Sequence, residues 1–280
     1  MENIRAAINA KEVYENGLTG KGIGIAVLDT GAFVHHEIAE NISYFKDFIR
    51  HRNECYDDNS HGSHISGIIA ADSFGIAPKA ALIELKVLDE SGRGNSWDII
   101  RCLNWIIENY IRYNIRILNF SIGFTPGAGI DEQRDILGLV EKIWDCGVTV
   151  VAAAGNDGPD EFTITVPGIS RKIITVGSSD PKSFGSRGPN RCCIVKPEVL
   201  APGYRIRSIS NHDGGYEYKT GTSMSTPMVS GAIALVLEKD PALRPEEIKL
   251  MLYNSCKRSR ENGDYSWGTL DVDTLVALAN

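Results

Sequence analysis

The chain has no long apolar segment, no basic cluster and no glycine-rich phosphate loop. None of its apolar runs reaches the roughly 18 residues needed to span a bilayer, so we expect no membrane partner. With a net charge of −7 and no run of lysine and arginine, the chain does not have the charge pattern of a nucleic-acid-binding protein. It also has no Gly-x-Gly-x-x-Gly turn after the first predicted strand and no phosphate loop ending in Lys-Ser or Lys-Thr. These absences argue against a nucleotide-binding enzyme.

A secretory signal is missing at the start of the sequence as well. The first residues, Met-Glu-Asn-Ile-Arg-Ala-Ala-Ile, show no basic stretch followed by an apolar core. We therefore expect a cytoplasmic protein, or a secreted one if the sequence has been trimmed. The six cysteines decide little, because Cys192 and Cys193 are adjacent and no Cys-x-x-Cys spacing occurs. A chain of 280 residues can bury a large core without cross-links, so we expect reduced thiols.

Short strand-like runs alternate with helical runs along the whole chain. This alternation predicts an α/β fold of three layers, in which a mostly parallel twisted sheet has helices on both faces. No internal repeat or linker is visible, so we predict one domain over residues 1–280. The predicted strands are 23–28, 81–88, 115–120, 148–153 and 172–176. The predicted helices are 61–71, 96–113, 131–146, 223–239 and 245–254.

Ser223 lies in the run Gly-Thr-Ser-Met-Ser-Thr-Pro at residues 221–227, directly before an apolar helical stretch. A serine hydroxyl is a poor nucleophile at neutral pH and needs a neighbouring base and a place for negative charge. The glycine permits a tight bend, and a helix that starts at the serine aims free N–H groups at an oxyanion. Taken alone, the same run is typical of a helix cap.

Two further segments carry an acid and a possible base. Asp29 ends the apolar run 23–28, and open α/β sheets place functional groups at the carboxyl ends of their strands. By itself this aspartate is equally typical of a turn or cap. His61 precedes a stretch of apolar and small residues that predicts a buried helix, and alone it is more typical of a structural histidine, as is His64. Zinc is a poor interpretation of this pair, because the spacing is not His-Glu-x-x-His.

Asn156 stands between two glycines at the end of a β-branched strand that runs into small residues. Asn-Asp-Gly alone is an ordinary turn. An asparagine amide can also donate a hydrogen bond to an oxyanion, and the small residues before it leave room for a substrate side chain.

The order Asp, His, Asn, Ser resembles that of the subtilisin-like serine proteases, the subtilases, whose Asp-His-Ser order is the one known from subtilisin. The layout is most similar to the intracellular bacterial members, and the resemblance covers a core of about residues 21–270. Further matching segments are 117–123, 183–189, 196–203 and 267–272. Many subtilases are made with a signal and a pro-domain, and neither is visible here.

The resemblance implies a serine endopeptidase that hydrolyses peptide bonds through an acyl-enzyme. Ser223 would be the nucleophile, His61 the general base and acid, and Asp29 the residue that orients the imidazole. Asn156 would donate to the oxyanion, together with the Ser223 backbone N–H. An alternative is a protease fold kept as a binding or regulatory module with little activity. That alternative predicts the loss of at least one of the four residues, and all four are present.

The resemblance also implies polypeptide substrates, bound in extended form beside two short segments. One segment contains Gly92 and Gly94, which are otherwise typical of a flexible surface loop. The side chain before the scissile bond would lie in a pocket with Thr165 at its floor. The walls of that pocket would be Ala153, Ala154, Gly155, Ser121, Ile122 and Gly123. These small neutral residues predict a preference for an apolar or medium-sized side chain, whereas the nearby Asp160 and Glu161 would favour a basic one.

No cofactor is implied for catalysis, and we predict no metal ligand. Calcium remains a structural possibility. The loop at residues 71–78 is shorter than the tight calcium loop of the secreted relatives and cannot easily supply six to eight oxygens, so we expect that site to be absent. Asp57 and Asp58 would form either a weaker site or an acidic surface turn. The resemblance further implies a cis bond at Val166–Pro167. The sequence leaves the oligomeric state open.

Overall fold

A computed structural model describes residues 4–123, 130–180, 185–188, 195–258 and 265–279 of the chain. Its helices are α1 (Ile4–Ala7), α2 (Glu12–Glu15), α3 (His61–Ala70), α4 (Ser96–Asn109), α5 (Ile130–Asp145), α6 (Thr222–Lys239), α7 (Pro245–Ser255) and α8 (Val272–Ala277). Its strands are β1 (Gly24–Asp29), β2 (Ile42–Asp47), β3 (Ala81–Lys86), β4 (Ile115–Phe120), β5 (Thr149–Ala153), β6 (Ile174–Ser178), β7 (Val199–Ala201), β8 (Ile206–Ile209), β9 (Tyr216–Lys219) and β10 (Gly268–Thr269).

Eight strands form one sheet in the order β10-β7-β6-β5-β4-β1-β3-β2, and each neighbouring pair runs parallel. Parallel strands covered on both faces are apolar along their whole length, which explains why every residue of β1 and β5 is buried. The short strands β8 and β9 pair separately as an antiparallel ribbon. The predicted α/β fold with a mostly parallel sheet and helices on both faces is confirmed.

The helices follow the same burial logic. Nearly all of α6 is buried, because it packs against α3 and against the middle strands of the sheet. A helix that is apolar all round is typical of a core position. In contrast, α4 presents one buried face, which contains Ile99, Leu103 and Ile106, and it packs against α5.

All five predicted strands and all five predicted helices exist, with ends that differ by a few residues. The elements that were not predicted are mostly short. Of these, β2 has a mixed burial pattern because it lies at one edge of the sheet, where only part of each residue is covered. An edge strand of this kind does not produce the continuous apolar run that made the central strands visible in the sequence.

The sheet topology creates a crevice where polar side chains can meet. Strand β1 has β3 on one side and β4 on the other, so the chain changes direction across the sheet between β1 and β4. Ligand sites of open α/β sheets form at such a switch point, beyond the carboxyl ends of the strands. Asp29 is the last residue of β1, and Ser121 follows the last residue of β4.

Several smaller expectations are also answered. The peptide bond Val166–Pro167 is cis, as predicted. Cys55, Cys102, Cys146 and Cys256 carry free thiols, whereas Cys192 and Cys193 lie outside the described residues, as does part of the segment 183–189. No helix in the described ranges is long and apolar enough to cross a bilayer.

Candidate active site

The two motifs that contain Asp29 and His61 interlock through their neighbours. The Thr30 hydroxyl accepts a hydrogen bond from the Gly62 backbone N–H at 2.8 Å. A Cβ atom on Gly62 would overlap the Gly31 carbonyl oxygen, and Gly31 itself has a φ of +100°. Both positions therefore require glycine, and the glycines bring the first turn of α3 directly onto the end of β1.

This contact places the Asp29 carboxylate against the His61 imidazole. Asp29 Oδ1 lies 2.7 Å from His61 Nδ1 and also accepts from the Thr30 N–H at 2.8 Å. Because a carboxylate can only accept, the Nδ1 atom carries the proton, and Nε2 is left free to act as a base. The Asp29 side chain is fully buried, whereas the His61 side chain is 24% exposed and borders the cleft.

The charge environment of His61 sets its proton affinity. Burial disfavours the imidazolium, but the charge and hydrogen bond of Asp29 outweigh burial, so the pKa of His61 is raised above its usual value of 6.5. The neighbouring His64 differs. It is fully buried, its Nε2 bonds the Ile206 carbonyl at 3.0 Å, and burial lowers its pKa to about 3. His64 is therefore the structural histidine that the sequence predicted.

Asp57 has a role that the sequence did not predict. It is buried, and its carboxylate accepts from the N–H groups of Asn59, Ser60 and Ser63 and from the Ser63 hydroxyl. It therefore satisfies free donors at the start of α3. Asp58 pairs with the buried Lys86 at 2.7 Å. The predicted acidic surface turn is thus wrong for Asp57, because the start of the helix draws its carboxylate inward.

Ser223 lies in the first turn of α6 and borders the same cleft as His61. Its hydroxyl donates to the Ser121 carbonyl at 2.8 Å, and no hydrogen bond joins it to His61 within the described structure. Pro227 has no N–H, so the Ser223 carbonyl lacks the partner that a helix normally supplies four residues later. The Ser121 hydroxyl donates to that carbonyl at 3.3 Å instead. Each of these two serines therefore donates its hydroxyl to the backbone carbonyl of the other.

Asn156 contacts the start of the same helix. Its Oδ1 accepts from the Thr222 N–H at 3.0 Å and lies 3.3 Å from the Thr222 hydroxyl. These donors fix the orientation of the amide, because they can pair only with its oxygen. Its Nδ2 group donates to no other described residue and is available to a ligand.

An open cleft of about 600 Å³ borders His61 and Ser223, whereas Asp29 and Asn156 are not among the described residues that line it. Among the predicted substrate-binding residues, Gly92, Gly94, Ser121, Ile122 and Gly123 line it together with His61 and Ser223. Glycine segments of this kind leave their backbone groups open to an extended chain. Residues that line the cleft without having been predicted are Thr30, Asn59, Leu88, Ser91 and Arg93.

Thr165 lies between two of the glycines that the sequence analysis placed in the predicted side-chain pocket. Ala153, Ala154 and Thr165 are buried. A Cβ atom on Gly123 would overlap the Thr165 hydroxyl, and one on Gly155 would come within 2.6 Å of the Thr165 methyl group. Thr165 therefore fills the space between the two glycines, whereas Asp160 and Glu161 are exposed.

Two buried ionisable side chains, Lys86 and Glu84, lie on β3 beside β1, and the sequence analysis did not assign them. Lys86 Nζ donates to the carbonyls of Thr30 and Leu88 at 2.6 and 2.8 Å. Glu84 accepts from the Ser66 hydroxyl on α3 at 2.6 Å, and burial raises the pKa of Glu84 to about 8. The signal was present, because a charged residue within an apolar strand requires a buried partner.

Lys219 approaches the start of α3 from the ribbon. Its Nζ donates to the Ser60 hydroxyl at 3.0 Å, and its charge lowers the pKa of His61. Its ion pair with Glu217 is 3.3 Å long. Lys219 thus opposes the effect of Asp29 on the imidazole.

Replacing Lys219 with methionine is therefore expected to raise the pKa of His61. From the sequence, His61 is expected to act as a general base, and such a base acts only while it is neutral. The acidic limb of kcat/KM is therefore expected to move to higher pH. The Glu217 carboxylate, left without its partner, would act in the same direction. Profiles of kcat/KM against pH for wild type, Lys219→Met and Lys219→Arg test this. A limb that moves to lower pH in the methionine variant, or moves equally in the arginine variant, contradicts it.

The described residues contain no group of three or more His, Cys, Asp or Glu side chains that could hold a metal ion. The short loop after α3 closes on itself, because the Gly75 N–H donates to the Ala71 carbonyl at 2.7 Å and the Ile76 N–H to the Ile68 carbonyl at 3.0 Å. Those carbonyl oxygens are thereby used within the protein. The absence of a tight calcium site stays a prediction.

The sequence is similar to a known protein family and to several characterised proteins. Residues 20–268 match the model of the Subtilase family. The chain is 37% identical to serine protease AprX of Bacillus subtilis (strain 168), over 99% of this chain and 71% of that protein. It is 34% identical to subtilisin E of the same strain, over 96% of this chain and 69% of that protein.

Solved structures show a similar fold. Sphericase superposes with a TM-score of 0.80 at 30% identity, covering 91% of this chain and 89% of that one. A cold adapted subtilisin-like serine proteinase superposes with a TM-score of 0.76 at 28% identity, covering 91% and 88%. The match to the family model, over residues 20–268, spans the ends of β1 and β4 at the crevice and the start of α6. This chain therefore belongs to the subtilase family and is a serine-type endopeptidase.

Proposed function

We propose that Asp29, His61 and Ser223 form the catalytic triad of this endopeptidase, with Asn156 in its oxyanion hole. The observation that carries the proposal is the 2.7 Å contact between the buried Asp29 carboxylate and His61 Nδ1, in a cleft that Ser223 also borders. In the neutral imidazole this contact leaves Nε2 unprotonated, and the ring borders the same cleft as Ser223. A base in that state is what a serine nucleophile requires.

In the proposed reaction, Ser223 Oγ bonds to the carbonyl carbon of the scissile peptide while its proton passes to His61 Nε2. The hydroxyl first leaves the Ser121 carbonyl, which needs only rotation about its side-chain bond. Catalytic hydrogen bonds are often absent from a ligand-free site and form in the substrate complex. The C–N bond then breaks as His61 returns the proton to the leaving amine, and water hydrolyses the acyl-enzyme by the same path.

Negative charge on the carbonyl oxygen would be stabilised by the free Asn156 Nδ2 and the Ser223 N–H. The Asn156 amide is already oriented by Thr222, so little reorganisation is needed when the charge develops. The Ser223 N–H lies in the first turn of α6, where backbone donors have no partner within the helix. The positive end of the helix dipole favours the same charge.

The substrate would be a polypeptide that lies extended between the segment with Gly92 and Gly94 and the segment 121–123. Its backbone would extend the sheet locally as an added strand. Because Thr165 fills the space between Gly123 and Gly155, we propose that the residue before the scissile bond is small. This narrows the sequence-based expectation of an apolar or medium-sized side chain and argues against a basic one.

Replacing Thr165 with glycine is expected to open this pocket. The variant should raise kcat/KM for substrates with leucine or phenylalanine before the scissile bond, relative to alanine, by about 10–100-fold, since pocket discrimination between such side chains is of that size. Thr163→Gly is a matched control in the same segment, because its hydroxyl instead donates to the Asp160 carbonyl. Profiling on a peptide library measures both. Unchanged selectivity in Thr165→Gly, or a wild-type preference for lysine or arginine, contradicts the proposal.

Covalent labelling tests the triad assignment most directly. A fluorophosphonate should label the folded wild-type protein at Ser223 and should not label Ser223→Ala, with the modified peptide identified by mass spectrometry. Labelling at another serine, or none in folded wild-type protein, would sink the assignment. Failure to label, together with binding of an uncleaved peptide, would favour the alternative of a regulatory module with little activity.

A further inference from the structure

A line of buried polar side chains connects the middle of α6 to Ser223 through the end of β4. Asn119, Ser121 and Ser230 are all buried. The Ser230 hydroxyl donates to Asn119 Oδ1 at 2.9 Å, and Asn119 Nδ2 donates to Ser121 Oγ at 2.8 Å. The Ser121 hydroxyl in turn donates to the Ser223 carbonyl. We call these hydrogen-bonded groups the Asn119 network, and such networks rigidify the part of the core that contains them.

The direction of these hydrogen bonds follows from the one group that can only accept. The Ser223 carbonyl has no hydrogen, and Pro227 supplies no N–H to it, so the Ser121 hydroxyl acts as its donor. The Ser121 oxygen is then left to accept, which turns the amide nitrogen of Asn119 toward it. Asn119 Oδ1 therefore faces α6, where the Ser230 hydroxyl donates to it.

The central sheet holds the backbone of Asn119 on both sides. Strand β4 lies between β1 and β5, and Asn119 is in register with Val27 on β1 and with Val151 on β5. Ser223 and Ser230 are about two helical turns apart on α6, so the network contacts this helix at two levels. It thus ties the first turns of α6 to a fixed position at the end of β4.

The first turn of α6 is the place where this support affects the reaction, because Ser223 borders the cleft there. Pro227 removes one hydrogen bond of this turn, and the Ser121 hydroxyl replaces it. Without that donor the Ser223 carbonyl would have no partner within the protein, which favours a shift of the turn. A displacement of about 1 Å at a reacting atom can lower the rate by about 100-fold.

We propose that Asn119 is a positioning residue for peptide hydrolysis. Its amide nitrogen keeps the Ser121 hydroxyl directed at the Ser223 carbonyl and thereby fixes the position of Ser223 Oγ. Asn119 is not among the described residues that line the cleft, so it acts through Ser121. This inference rests on the proposed role of Ser223 as the nucleophile, and it adds a buried residue that belongs to neither the triad nor the oxyanion hole.

Asn119→Asp tests the proposal by reversing one hydrogen bond at nearly constant shape. An ionised carboxylate can only accept, so it draws the Ser121 hydroxyl away from the Ser223 carbonyl. A buried carboxyl group that takes up a proton can donate again. The rate of fluorophosphonate labelling at Ser223 should therefore fall by about tenfold or more at alkaline pH. The ratio of this rate to that of wild type should recover as the pH is lowered.

Asn41→Asp is the matched control. Asn41 is also buried, and its Nδ2 donates to the Pro78 and Ala80 carbonyls at 2.9 and 3.0 Å. It directly precedes the edge strand β2, and none of these three residues lines the cleft. The variant should lose stability and label at the wild-type rate at every pH. Circular dichroism verifies that each variant is folded under the conditions of labelling.

Ser121→Ala removes the donor to the Ser223 carbonyl directly and should slow labelling at every pH. Adding Asn119→Asp to it should cause no further loss that depends on pH, because no hydroxyl remains for the carboxylate to draw away. Ser121→Ala decides the case if Asn119→Asp does not fold. Unchanged labelling in Ser121→Ala overturns the inference, as does a loss dependent on pH that persists in the double variant or appears in Asn41→Asp.

The same assay separates this inference from the proposed triad. Labelling of wild-type protein at Ser223, with an equal rate in Asn119→Asp at all pH values, would overturn the positioning role alone. No labelling of folded wild-type protein would overturn the triad and the positioning role together.

Discussion

Replacing Ser223 with alanine is expected to lower kcat on a peptide substrate by roughly 10⁶-fold, the loss known from the equivalent change in subtilisin. The alanine removes the oxygen that we propose attacks the substrate carbonyl, while the cleft and the proposed oxyanion donors stay in place. The remaining activity should be that of water attacking a bound and polarised carbonyl. Steady-state assays on a chromogenic peptide, with active-site titration of the wild-type enzyme, give the ratio.

Ser225→Ala is the matched control for this variant. Ser225 lies two residues further along α6, is buried, and donates its hydroxyl to the Ala201 carbonyl at 2.9 Å, away from the cleft. Its loss should affect mainly stability, by about 1 kcal/mol, as for a single hydrogen bond. If Ser223→Ala kept as much activity as Ser225→Ala, another nucleophile would have to be sought.

Replacing Asp29 with asparagine should lower kcat by about 10⁴-fold, the size seen when the aspartate of such a triad is changed to asparagine. The amide is nearly the same shape, but it no longer supplies the charge that stabilises the imidazolium. It can also donate to Nδ1, which would leave the proton on Nε2. Because the Asp29 charge holds the pKa of His61 above its usual value, any residual activity should also extend to lower pH.

Asp57→Asn is the control for Asp29→Asn. It tests whether activity depends on the orientation of the imidazole by Asp29 or only on a negative charge near the ring. Asp57 also raises the pKa of His61, but its carboxylate bonds the start of α3 and does not contact the ring. We expect this variant to lose stability, by about 1–3 kcal/mol, and to lose far less activity than Asp29→Asn. Chemical denaturation and kcat measured on the same preparations decide this. Equal losses of kcat would mean that charge near the imidazole matters more than its orientation by Asp29.

Much of the fold and of the candidate site could be predicted from local sequence patterns. Asp29 was visible because a fully buried parallel strand is apolar along its length, so the aspartate at its end stands out. His61 and Ser223 were visible because each stands at the start of an apolar helical stretch and has a glycine within two residues. Such signals are local, and they survive in a single sequence.

Other features depend on contacts between distant parts of the chain. Lys86 and Asp58 are 28 residues apart and meet only when β3 lies beside β1. Thr165 acquires its place between Gly123 and Gly155 only through the packing of the segments that follow β4 and β5. No periodicity or motif in the sequence indicates which residues far apart in the chain come into contact.

The sequence by itself determined the family, the α/β architecture and the identities of the four candidate catalytic residues, because residue type, spacing and order carry that information. Only the tertiary structure decided how these residues meet: the Asp29–His61 contact, the Ser223 hydroxyl on the Ser121 carbonyl, and the position of Thr165 between Gly123 and Gly155. The physical reason is that hydrogen bonding and steric fit act over a few ångströms. Residues far apart in the chain come within that range only when the sheet and helices pack.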